Sequence, residues 1–183
     1  ITLFRIQYLL GGLEIAEVIA ASEAGFELAS ESAREAVAAH ALGAACFSED
    51  RAALDRAYRR FAPVVPARSD PGGSLSAKCA HLMLMAMDTN GRAALKEFDR
   101  LPQLREIVES PLIMQRLRAP MIRCCIARLG GDNSAARSSL VQAQEILDAT
   151  PAGITQNVMT LSKHYQNALL LITDNERDTR LAR

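Results

Sequence analysis

The chain has 183 residues, with 21 basic and 21 acidic side chains, so its formal net charge is zero. That length suits one domain with a real core, and the charge balance excludes a strongly basic nucleic-acid module and an acidic disordered tail. Aromatic residues make up 4% and tryptophan is absent, which is thin for the core of an all-β fold. The chain starts at Ile1 and is read as a segment of a longer protein. Its opening residues carry Arg5 and Gln7 and lack the basic-then-apolar pattern of a signal peptide. The longest fully apolar run, Leu82–Met87, has six residues, against the ~20 that span a bilayer. A cytoplasmic protein with no membrane contact is expected.

Ala, Leu, Arg and Glu dominate and no sustained apolar–polar alternation occurs, so the predicted class is all-α, over a single domain 1–183. A first helix is expected over Thr2–Leu10, stopped by Gly11-Gly12, a second over Leu13–Leu28 and an Ala-rich third over Glu31–Phe47. Ser48 reads as the N-cap of the fourth, with Glu49 and Asp50 favouring the dipole of its first turn. That helix shows Leu54, Ala57, Tyr58 and Phe61 on one face and ends before Pro63. Residues 63–74 hold three prolines and two glycines, which predicts a loop and a candidate hinge. An almost wholly apolar fifth helix, Leu75–Met87, precedes the Asn90-Gly91 turn signal.

The sixth helix stacks Leu95, Phe98, Leu101, Leu104 and Val108, and Pro102 should kink or split it. Ser110-Pro111 should open the seventh, which carries Pro120 and stops at Gly130-Gly131. Asp132 or Asn133 caps an eighth, with Ala136, Leu140, Ala143 and Leu147 on its apolar face. A ninth carries Ile154, Val158, Leu161, Tyr165, Ala168 and Ile172, and Thr173 with Glu176 reads as the capping box of a last short helix.

The helices fall into antiparallel pairs whose first members begin near 31, 75, 111 and 154. A period near 40 in a helical chain predicts stacked units, because a first helix that is apolar on several sides needs both its own partner and the next pair to cover it. An irregular helical bundle is the alternative architecture.

Metal and catalytic signals are weak. Cys46, Cys79, Cys124 and Cys125 form no CxxC, and His40, His81 and His164 lie far apart. Free buried thiols are expected, with no cofactor and no metal; a site assembled in space is the open alternative. His40 and His81, inside apolar helices, read as core histidines, and Met83, Met85 and Met87 as core filling. Glu23, Glu27, Glu31 and Glu35 recur every four residues, a stripe that suits either a solvated face or carboxylate chemistry. The double glycines match no phosphate loop. Residues 1–50 hold eight acids and two bases, whereas 100–128 hold six arginines against two glutamates. Lysines are few and no aromatics interleave with those arginines, which favours an acidic protein or peptide partner over nucleic acid.

The stretch Cys124–Ala143 resembles a tetratricopeptide repeat: with Gly131 as the turn glycine, Cys124, Ala136 and Ala143 fall at the small positions and Leu140 at the bulky one. Ile1–Ala20 repeats the layout around Gly11 and Ala16, and a third unit surrounds Ala94 and Phe98. The period is longer than that family's. Longer units of this sort are similar to the helical sensor regions of large LuxR-type bacterial transcription regulators. The resemblance implies a right-handed solenoid of stacked antiparallel helix pairs that binds a protein or peptide on its concave side and catalyses nothing. It puts Arg118, Cys125 and Arg128 on that side, and His164 through the turn near Asp174. Oligomer formation stays open. The alternatives are a small-molecule sensor with an enclosed pocket and an all-helical enzyme with carboxylates assembled across helices.

Overall fold

A computed structural model describes residues 15–46, 50–65, 71–111 and 113–151. Among the described residues all regular structure is helical. Helix α1 is Ile15–Leu28 and α2 is Glu31–Ala45. Ser30 between them has extended backbone, so the chain turns sharply at Ala29-Ser30. Helix α3 is Arg51–Phe61, and the Asp50 carboxylate caps it by accepting from the amides of Ala52 at 2.8 Å and Ala53 at 3.2 Å. The cap is therefore Asp50, which the sequence pattern put in the first turn behind Ser48; Ser48 lies outside the described residues. A 3-10 turn, Ala62–Val64, carries Pro63 after α3.

Helix α4, Pro71–Met85, starts four residues earlier than expected. Pro71, Gly72, Gly73 and Ser74 are helical rather than part of a loop, because a proline at a helix start has no useful N–H to lose. The remainder of the expected hinge, residues 66–70, lies outside the described residues. Next comes a π-helical turn, Ala86–Asn90, whose last residue leaves helical geometry at φ −113°, ψ 44°. Helix α5 is Gly91–Phe98 and α6 is Gln103–Val108. Pro102 splits the two, one of the outcomes its missing N–H predicts. Helix α7, Ile113–Leu129, begins after the expected Ser110-Pro111 start and contains Pro120. Helix α8 is Asn133–Asp148. The helices expected over Thr2–Leu10 and beyond Pro151 lie outside the described residues.

The packing follows chain order. Helix α1 lies on α2; α2 packs on α3 and α4; α3 also packs on α4. Helix α4 packs on α5, α6 and α7; α5 and α6 also pack on α7; α7 pairs with α8. Burial divides the helices into two kinds. Helix α7 buries Leu117, Met121, Ile122, Cys124, Cys125, Ile126 and Ala127, and α4 buries Leu75, Cys79, Ala80, Leu82, Met83 and Leu84. These runs cover most of each helix's circumference, so both helices are enclosed. By contrast α3 buries a single stripe of Ala53, Leu54, Ala57 and Phe61, and α8 one of Ala136, Ser139, Leu140, Ala143 and Leu147. Phe61 and Phe98 are almost completely buried, and each such ring contributes roughly 1.5–3 kcal/mol.

Two glycine contacts fix the pairs. The turn from α7 to α8 is closed by Gly131 at φ +76°, with the Gly131 amide donating to Arg128 O at 2.9 Å and the Asp132 amide to Ala127 O at 2.8 Å. This paired 5→2 and 6→1 pattern satisfies two end carbonyls of α7. The Asp132 carboxylate then accepts from the Ala135 amide at 2.9 Å and starts α8. Where α5 begins, Gly91 lies backbone to backbone against Gly130: a Cβ on Gly91 would overlap Gly130 Cα and sit 3.0 Å from its carbonyl carbon.

One core expectation is reversed. His81 is exposed, its ring 5.8 Å from that of Tyr58 on α3. Position 81 faces outward beside α3 while its neighbours Ala80 and Leu82 face in. His40 is half-buried.

Candidate functional site

Helices α2, α4 and α7 meet around Arg118. The Arg118 guanidinium donates through Nη2 to the hydroxyl of Ser76 on α4. The same nitrogen is 3.2 Å from where a Cβ on Gly43 of α2 would stand. Gly43 thus leaves the space that the guanidinium occupies. Ser76 is 1% exposed, whereas Arg118 is half-buried. Cys46, the residue that caps the end of α2, donates its thiol to Ser76 O at 3.7 Å. Burial pushes the Cys46 thiol well above the ordinary range; the Cys79 thiol raises it further and Arg118 opposes the shift. Burial likewise lifts Cys79 to about 12, again against the pull of Arg118.

The other expected site residues are placed differently. Cys125, one of the three positions on the expected binding side of α7, is 2% exposed and Met121 is 1% exposed, so the stripe between Arg118 and Arg128 is core rather than surface. Ten residues of helix separate the two arginines, about 15 Å along the axis, so they do not share one patch with Cys125 between them. Arg128 is half-buried near the end of α7, where a cation suits the helix dipole. It favours the thiolate of Cys124, whose thiol burial nonetheless raises to about 11. His164 lies outside the described residues.

A further arginine, Arg123, is held by several polar groups. It grips Asp99 at the end of α5 through Nε–Oδ1 at 2.7 Å and Nη2–Oδ2 at 3.0 Å. Its Nη1 donates to the fully buried Ser139 Oγ on α8 at 3.0 Å. One side chain thus ties α5, α7 and α8. No sequence signal could find it, because the partners are 24 and 16 positions away on other helices. A second fork joins Arg51 at the start of α3 to Asp88 in the π turn, at 2.8 and 2.7 Å. Arg51 holds the Asp88 carboxyl below its usual range.

The glutamate stripe divides. Glu23 and Glu27 are on α1, and Glu31 and Glu35 on α2, across the Ala29-Ser30 turn. Glu27 pairs with Arg60 of α3. Among the described residues no three His, Cys, Asp or Glu side chains gather as a metal centre, and no helix is long and apolar enough to cross a membrane. The residues around Arg118 can offer a planar cation against a low-dielectric wall, which strengthens its hold on a carboxylate.

In comparisons with known proteins, no family model, no curated protein and no solved structure matches the chain.

Proposed function

We propose that this chain is a non-catalytic helical-repeat domain that binds an acidic protein or peptide segment, and that it serves as the sensory or scaffolding part of a bacterial transcription regulator in the cytoplasm. The observation that carries the binding reading is the packing order. Helices α2, α4 and α7 adjoin in sequence, and α3, α5 and α8 each accompany the one before. Their starts at residues 31, 71 and 113 keep a spacing near 40. In this reading α2, α4 and α7 are the first helices of three successive units, and Arg118 stands where they converge. An arginine there takes a carboxylate through two parallel hydrogen bonds, which sets orientation as well as affinity.

The test is selection of binders from a random peptide library, followed by affinity measurement. Recovered peptides should be rich in Asp and Glu, and Arg118→Gln should weaken them by about 1–3 kcal/mol. Arg118→Lys should recover part of the loss, because it keeps the charge without the fork. Equal affinity for a folded Arg118→Gln protein overturns the reading.

A further inference from the structure

We propose that Cys46 and Cys79 form a two-coordinate thiolate site for a soft monovalent cation of the Cu(I) or Ag(I) type, with Arg118 as its counter-charge. The proposal does not depend on the peptide-binding reading. The Cys46 thiol reaches the Ser76 carbonyl at 3.7 Å. A helical carbonyl points along the axis toward the residues three and four further on, and the third after Ser76 is Cys79. The Cys46 sulfur therefore lies against the turn of α4 that carries Cys79, and the electrostatic effect of the Cys79 thiol on Cys46 agrees with that nearness. Both cysteines are fully buried, as are Leu42, Ala45, Leu75 and Ala80 beside them. Arg118 is tied to the same turn through the Ser76 hydroxyl.

This chemistry selects the ion. Soft thiolate ligands favour Cu(I), zinc and iron–sulfur clusters; zinc and the clusters need four ligands, so two sulfurs suit a soft monovalent cation that accepts linear coordination. Hard cations need several oxygens, and the named surroundings of the two thiols supply only those of Ser76, both already hydrogen-bonded. On binding, each thiol loses its proton to solvent and forms one sulfur–metal bond. Two thiolates and one monovalent ion leave a single negative charge. A buried charge must be paired, and the Arg118 guanidinium supplies the one positive charge needed.

The experiment is anaerobic titration of the reduced chain with Cu(I) against a colorimetric Cu(I) chelator. Cys124 and Cys125 are replaced by alanine so that only the proposed pair remains. One Cu(I) per chain with two sulfur neighbours by X-ray absorption is expected. Cys79→Ser should abolish that equivalent, and Arg118→Met should weaken it by about 10- to 100-fold, as loss of an outer partner does. In the wild-type chain with Ag(I), the ¹³Cβ resonances of Cys46 and Cys79 should move and those of Cys124 and Cys125 should not; this readout needs no variant. Failure to compete with the chelator, undiminished binding in a folded Cys79→Ser chain, or shifts confined to Cys124 and Cys125 each overturn the proposal.

Discussion

Replacing Gly91 by alanine separates two physical effects of opposite sign. Helix propensity alone favours alanine over glycine by roughly 0.5–1 kcal/mol within a helix. The added Cβ, however, would overlap Gly130 Cα and press on its carbonyl group. These atoms are backbone, not the end of a flexible chain, so no rotamer change relieves the clash. The start of α5 and the end of α7 would have to part by on the order of 1 Å, which weakens packing around them, since dispersion falls steeply over such a gap. Overpacking of this kind costs about 1–3 kcal/mol, and the net loss should be about 2 kcal/mol. For a chain of this size that lowers Tm by roughly 4–8 °C. Thermal and urea unfolding followed by circular dichroism at 222 nm measure it. Gly131→Ala is the control: its site has nothing within 4 Å but stands at φ +76°, so only backbone strain of about 1–2 kcal/mol applies. A Gly91→Ala protein as stable as wild type, or more so, would refute the close approach of α5 and α7.

Arg123→Ala should destabilise by about 1–2 kcal/mol in urea. The Asp99 side chain is 44% exposed, so the ion pair itself is screened, and part of the cost is the hydrogen bond lost at buried Ser139. Asp88 should titrate below an ordinary aspartate in an NMR pH series, because Arg51 stabilises its anion. Its folded-state value is depressed, so its stabilising contribution is present above the unfolded carboxylate pKa and lost as pH falls through the folded value. Arg51→Ala should return Asp88 to the ordinary range and shrink that acid-side loss. The thiols of Cys46, Cys79 and Cys124 are buried and raised. They should resist a disulfide reagent at pH 8 in the native chain and react on unfolding in denaturant; rapid native labelling at these positions would contradict the burial.

Helix content and the break at Pro102 were legible in the sequence because they depend on local chemistry: propensity and a missing N–H. The turn at Gly131 and its Asp132 cap were legible for the same reason. Pro71-Gly72-Gly73 has the composition of a loop, yet a helix tolerates proline in its first turn and buried Leu75 and Ser76 anchor the turns that follow. Ser48 and Asp50 are both residue types that cap helices, so the sequence alone does not separate them and the backbone geometry at Asp50 does. The apolar neighbourhood of His81 in sequence does not say which side of the helix it takes, and the structure puts it outside. At the site, the arginine-rich segment was visible, but its members differ in depth. Arg118 turns inward over α4 because Gly43 leaves room 75 positions earlier in the chain. Cys125 is sealed in the core. Contacts of that kind, like Arg123 with Asp99, depend on which helices adjoin, and no local pattern encodes them.

The proposed acidic partner engages the layer formed by α2, α4 and α7. The most direct test is amide and arginine side-chain NMR of the chain titrated with a selected acidic peptide. The largest shifts should fall on Gly43, Ser76 and the Arg118 side chain. Shifts confined to the outward faces of α3, α5 and α8, at Arg59, Arg92 and Arg137, would contradict it.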